Sequence, residues 1–99
     1  MPSRTISNRF YYVYVLQSER DPQQYIGFTA DLKKRLQQHQ RGESFATAPR
    51  RPFTLAYYEA CRSKEDALRR EEYLKHSEGR RFLAKRLKVY YRRDNSKLY

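Results

Sequence analysis

From Phe10 to Leu16 the chain runs FYYVYVL, aromatic and β-branched without a breaker. That is the composition of a strand covered on both faces. SERDP follows and reads as a turn, with Asp21 and Pro22 as its local cause. The apolar pattern resumes from Tyr25 to Phe28; so short a link cannot hold a crossover, so this second strand pairs antiparallel with the first. In TADLKKRLQQHQRG the positions Leu32, Leu36 and His39 recur at helical spacing, with Thr29 available as N-cap and Gly42 at the stop. ESFATAPRRP has prolines and small residues without periodicity and is expected to be a loop. Phe53 to Ala60 reads as a third strand. Ser63, with Asp66 three positions on, resembles a capping box and opens a helix to about His76. A last helix is expected from Gly79 to Tyr90, with Phe82, Leu83 and Leu87 as its buried stripe.

The order is therefore β-β-α-β-α-α and the class α+β: a small three-stranded antiparallel sheet with flanking helices. Residues 1–9 read as a flexible leader, 10–90 as a single domain and 91–99 as a frayed basic tail. A chain of 99 residues fits one modest core and leaves most loops at the surface.

Charge narrows the partner. There are 22 Lys and Arg against 11 Asp and Glu, a formal net charge of +11. Residues 79–99 alone hold eight basic side chains against Asp94. A polyanion is the expected partner, nucleic acid first. Cys61 is the single cysteine, which excludes an internal disulfide and any thiolate-cluster metal site and fits a reducing compartment. Residues 1–9 lack the apolar stretch of a secretion signal, and Phe10–Leu16 is too short to cross a bilayer. The expected setting is cytoplasmic, away from membranes.

Candidate chemistry rests on a few polar residues in this frame. Arg35 and His39 lie one turn apart on one flank of the first helix. Arg35 reads either as part of the solvated run KKR or as a fixed cation beside the sheet; His39 reads either as a helix-end cation favoured by the dipole or as a proton carrier. Glu71 shares its helix face with Ala67, Leu68 and Leu74, where a bare carboxylate is costly. It needs a salt bridge to Arg70, Arg35 or Lys75, or a metal ion. Gly27 permits an unusual backbone angle or the close approach of a ligand.

Tyr12-Val13-Tyr14, ten residues, then Tyr25-Ile26-Gly27 resembles the paired motif of the GIY-YIG endonuclease superfamily, in its small stand-alone single-domain branch. The similarity continues through the helix carrying Arg35 and His39, Thr47 followed by Pro52, the strand LAYYE and the string ALRREEYLK. The chain departs from the motif at Tyr12 and Val13, where the family name has glycine and isoleucine. Ala48 stands where a basic residue often follows the threonine.

The resemblance implies metal-assisted hydrolysis of phosphodiester bonds in nucleic acid, DNA before RNA. It implies Glu71, with neighbouring Glu72 as its rival, as the single protein ligand of a Mg²⁺ or Mn²⁺ ion that keeps most of its waters. Arg35 would neutralise charge on the phosphate, and His39 would relay a proton or orient the phosphate. One of Tyr14 and Tyr25 would activate the attacking water while the other positions it, with Tyr14 preferred as base. A phenol titrates near pH 10, so that role needs a cation or a metal-bound water to lower it. Gly27, Thr47, Arg50, Arg51, Arg69, Lys75, Arg80 and Arg81 complete the expected nucleic-acid surface, the basic ones as phosphate contacts whose grip weakens with salt. Ten tyrosines and no tryptophan suit stacking of unpaired bases, which favours a single-stranded or branched substrate. A non-catalytic nucleic-acid-binding module and a basic RNA-binding accessory protein remain as alternatives, and a protein partner or homodimer is left open.

Overall fold

The computed structural model describes residues 9–98; of the expected leader all but Arg9 lies outside the described residues, as does Tyr99. Three strands, β1 (Tyr11–Ser18), β2 (Gln24–Thr29) and β3 (Phe53–Cys61), form one antiparallel sheet in the order β2-β1-β3. The breaker-free run thus becomes the central strand, and its residues from Val13 to Ser18 are all buried. Tyr14 stands opposite Gly27 on β2 and Tyr58 on β3. A bulge between Val15 and Leu16 shifts the register with β3 by one residue.

Alternation along β1 builds two layers. Val13 and Val15 face the main core, packed with Ala67 and Leu74 of helix α2 (Lys64–Leu74) and Leu83 of helix α3 (Ser77–Arg86). Tyr14 and Leu16 point the other way, toward helix α1 (Leu32–Arg41). α1 stops at Gly42, whose φ of 79° is the left-handed cap that glycine supplies without a Cβ penalty. Ser63 caps α2 by accepting from the Asp66 amide, as its spacing predicts.

The structure corrects four expectations. The N-cap of α1 is Asp31, which accepts from the Lys34 amide at 3.1 Å; Thr29 is still in β2, and its hydroxyl accepts from the Asp31 amide instead. The loop ESFATAPRRP contains a 3₁₀ turn, Ala48–Arg50. α2 ends at Leu74 rather than near His76, which becomes the residue before α3. The last predicted helix is two: α3 closes at Arg86, Leu87 leaves helical geometry, and α4 (Lys88–Leu98) takes in most of the expected tail. α4 is tied back to the sheet where Tyr91 and Gln24 exchange hydrogen bonds at 2.9 and 3.2 Å. No helix among the described residues is long and apolar enough to cross a membrane.

Candidate active site

The α1 face of the sheet carries the predicted tyrosines. Gly27 lies beside Tyr14, and a Cβ there would run into the phenol ring and its oxygen. Its backbone takes no positive φ, and in the fold it makes room for Tyr14. Tyr14 is fully buried, and its hydroxyl meets His39 Nε2 at 2.8 Å. On the far side of the imidazole, Nδ1 meets Thr47 Oγ1 at 2.7 Å. With the proton on Nδ1, Tyr14 donates to Nε2 and Thr47 accepts; with it on Nε2, both senses reverse. Either tautomer completes a phenol–imidazole–hydroxyl chain. Thr47 is fully buried in it, so its expected place on the nucleic-acid surface is corrected to support of His39.

Tyr25 closes the group: its ring centroid is 6.2 Å from that of Tyr14 and 5.2 Å from that of His39. Arg35 lies close enough to both phenols to act on Tyr14, and both phenols act back on it. Burial works against the guanidinium's charge, but the two phenols outweigh it. Its hydrogen bonds go to Gln38 Oε1 at 3.0 Å and Ser44 Oγ at 3.5 Å, both uncharged. Among the described residues no carboxylate pairs with it.

Electrostatics hold Tyr14 and His39 neutral at rest beside the charged Arg35. Burial pushes Tyr14 up to about 12, against the lowering influence of Arg35, and the charges of Tyr25 and Glu71 push the same way as burial. The expected help from Arg35 is present and too weak to make a standing phenolate. Burial, with the Arg35 charge behind it, brings His39 down to about 4, so the imidazole is uncharged at neutral pH. Reading His39 as a helix-end cation is thereby corrected.

Glu71 comes from α2, in the other layer, and its charge still reaches the Tyr14 hydroxyl. Its side chain is 20% exposed and pairs with Lys75 Nζ at 3.3 Å, one of the three bridges expected. Arg70 is committed elsewhere, to Glu59. Glu72, the rival carboxylate, is exposed and bonded to His76 Nε2 at 2.8 Å.

The remaining basic positions divide. Arg50 pairs with Asp21 at 3.4 Å, and Arg51 donates to the carbonyls of Ala48 and Gln40 at 2.9 and 3.2 Å; both brace the connection from α1 to β3. Arg69, Arg80 and Arg81 stand exposed on α2 and α3. The partners Gln38 and Ser44 escape sequence reasoning. A glutamine three positions after an arginine on a helix was the available signal for the first, and Ser44 had none beyond its nearness to the helix stop.

A three-stranded antiparallel sheet presenting two tyrosines to an arginine and a histidine on one helix, with a glutamate from the next, defines a small nuclease-type catalytic domain. Residues 10–86 match the GIY-YIG catalytic domain. The chain belongs to the GIY-YIG family, in the small stand-alone branch that the UPF0213 proteins form. A UPF0213 protein of Streptococcus pyogenes serotype M5 is 45% identical over 65 residues, spanning 65% of this chain and 70% of that one. A UPF0213 protein of Limosilactobacillus reuteri is 42% identical over 69 residues, spanning 67% and 71%. Among solved structures, the solution NMR structure of the UPF0213 protein BH0048 from Bacillus halodurans shares 32% identity at a TM-score of 0.54, covering 82% of this chain and 89% of that one. The domain is of a nuclease type and thereby a binder of nucleic acid.

Proposed function

We propose that this chain is a metal-dependent endonuclease that hydrolyses phosphodiester bonds in DNA, with single-stranded or branched DNA preferred. The observation that carries the reading is Arg35: a half-buried guanidinium held by neutral groups beside two phenols, its charge left for an incoming anion. A phosphate drawn there places its phosphorus beside Tyr14, and Arg35 stabilises the negative charge that builds up during in-line displacement. Once substrate binding uncovers the buried Tyr14 hydroxyl, Tyr14 takes the proton of the attacking water while passing its own to His39 Nε2. This relay requires no standing phenolate, which burial forbids. The phosphate's charge offsets the opposition of Arg35 to an imidazolium, and Thr47 holds the ring in place throughout. Tyr25 orients the water.

Glu71 fits an ion held by one carboxylate that keeps most of its waters; among the described residues no cluster of three His, Cys, Asp or Glu offers a denser cage. Lys75, half exposed, releases Glu71 and turns to a backbone phosphate. When bound there, Mg²⁺ or Mn²⁺ supplies charge neutralisation at the leaving oxygen. A cytoplasmic setting belongs to the proposal and rests on Cys61 as the lone cysteine.

The test is cleavage of labelled single-stranded, duplex and branched DNA with Mg²⁺, Mn²⁺ or chelator. Cutting is expected only with metal, and to fall by about 10²–10³ in Arg35→Ala and in Glu71→Ala. Undiminished cutting by Glu71→Ala overturns the reading. Tight binding without cutting under any metal makes the protein a binding module.

A further inference from the structure

Resting on that reading, we propose that the cleft beside Tyr25 holds one unpaired nucleobase of the DNA strand, next to the scissile phosphate. The cleft has a volume of about 600 Å³ and follows the edge strand β2, between the β1–β2 turn and the corner where α2 meets α3. This is within the range of sites that enclose a small molecule, about 300–1,000 Å³. Three features of its lining select a nucleotide.

The first is continuity. Tyr25 and Lys75 line the cleft, and Lys75 pairs with Glu71. A strand whose phosphate sits between Arg35 and Glu71 therefore meets the cleft with an adjoining nucleotide. The second is the match of surface to ligand. Leu74, Leu83 and Ile26 line the cleft, and the half-buried Ile26 offers apolar contact to a flat ring. Arg80 stands exposed at the rim for a phosphate, and the Gln23 amide for a base edge. An amide both donates and accepts, so it suits the mixed edge of a base. A base within a duplex is stacked and paired and cannot enter, so the occupant is unpaired or extruded.

The third feature is rigidity. The neighbouring amide of Gln24 is held in both senses by the Tyr91 hydroxyl of α4, which fixes this part of the wall. At the opposite wall Gly79 is packed so closely that a Cβ would strike the Tyr73 carbonyl oxygen and Leu74 Cα. A cleft with both walls braced is prepared before the ligand arrives, which lowers the ordering cost of binding.

The experiment is an amide chemical-shift titration of the full ¹⁵N-labelled chain, in chelator, with thymidine 5′-monophosphate, with deoxyribose 5-phosphate and with inorganic phosphate. The nucleotide is expected to move the amides of residues 23–26, 74–75 and 80–83, and the two ligands without a base to leave the β2 side unmoved. Arg80→Ala is expected to weaken all three ligands, by about tenfold for the nucleotide. Gln23→Ala, at an exposed turn whose backbone bonds survive the change, is expected to weaken only the nucleotide, by about threefold. Equal shifts from nucleotide and sugar phosphate overturn the pocket, as do shifts elsewhere on the molecule or none at saturation. The nuclease reading fails separately, by absence of metal-dependent cutting while the nucleotide still maps to the cleft.

Discussion

Arg35 and Arg70 are two arginines of one small domain, each half-buried among tyrosines, and they are treated in opposite ways. Arg70 is saturated. Its Nε and Nη2 grip both oxygens of Glu59 at 2.8–3.0 Å, and its Cζ lies 4.3 Å from the Phe82 ring centroid and 5.0 Å from that of Tyr73. The Tyr57 hydroxyl donates to the same carboxylate at 2.9 Å. Charge is cancelled where it stands, so the cluster is a structural clamp between β3 and α2. Arg35 is held more loosely, by an amide oxygen at 3.0 Å and a hydroxyl at 3.5 Å that leave its charge intact. Burial opposes this cation and the two phenols more than offset that, so its charge is kept without a carboxylate partner among the described residues. The uncancelled charge beside two phenols is what supports the proposed anion-binding role of Arg35 and sets it apart from the bracing Arg70.

The largest effect should come from crossing the two. Arg35→Ala is expected to lower cleavage by about 10²–10³ with little loss of melting temperature. Arg70→Ala strands the Glu59 carboxylate, 20% exposed, and is expected to cost about 2 kcal/mol, or about 10 °C, while the activity per folded molecule holds. Thermal melts run beside the cleavage assay check both. A stability loss from Arg35→Ala as large as that from Arg70→Ala would make both arginines structural.

His39 extends the contrast to pH. Its folded pKa, about 4, lies below the ordinary imidazole value, so the unfolded chain takes up the proton first. Stability from this group is full above about pH 6.5, falls as the pH drops toward 4, and the total loss is on the order of 3 kcal/mol. His39→Gln should flatten that slope in denaturant titrations at pH 7, 5.5 and 4. Equal slopes in both proteins would mean that the imidazole is not kept neutral in the folded state.

The two arginines also show what the chain makes legible and what it hides. β1 was readable because FYYVYVL has no breaker, and the end of α1 because Gly42 alone there takes a positive φ cheaply. Helical spacing put Arg35 and His39 on one flank of α1, while their meeting with Tyr14 and Tyr25 was legible only through the resemblance to the GIY-YIG motif. The break at Leu87 has no glycine or proline to announce it; it serves the docking of Tyr91 onto Gln24, a contact 67 residues distant in sequence. Thr29 and Asp31 are both good caps, and only the length of β2 decides between them. The burial of Thr47 depends on the chain doubling back after Gly42 to meet His39, and no local pattern encodes that. Which lysine or arginine would claim Glu71 was open for the same reason: three were in reach by sequence, and the fold gave Arg70 to Glu59.

A smaller effect is expected at Gly27. A methyl group there collides with the Tyr14 phenol, so Gly27→Ala must displace the ring at the start of the proposed proton relay. Overpacking of this kind costs about 1–3 kcal/mol, and a displaced hydroxyl loses its bond to His39. Cleavage should fall further than stability alone explains, when rates are compared at a temperature where the variant is fully folded. Retained activity in a folded Gly27→Ala protein would show that the Tyr14 position is not critical.

The finest distinction lies one bond behind each cluster, where Thr47 supports His39 and Tyr57 supports Glu59. Thr47→Val keeps the shape and leaves His39 Nδ1 buried without a partner, at a cost of about 1–3 kcal/mol, whereas Tyr57→Phe removes one of several donors from a carboxylate that Arg70 still holds and should cost about 1 kcal/mol. The two therefore come close in stability, and activity is what separates them. Without Thr47 the imidazole is free to choose its tautomer and tilt, so the rate should drop severalfold with its pH profile displaced, while Thr47→Ser, which returns the hydroxyl, restores the profile. Tyr57→Phe should leave rate and profile alone. An unshifted profile in Thr47→Val would place Thr47 with Tyr57 among the braces and shorten the relay to Tyr14 and His39.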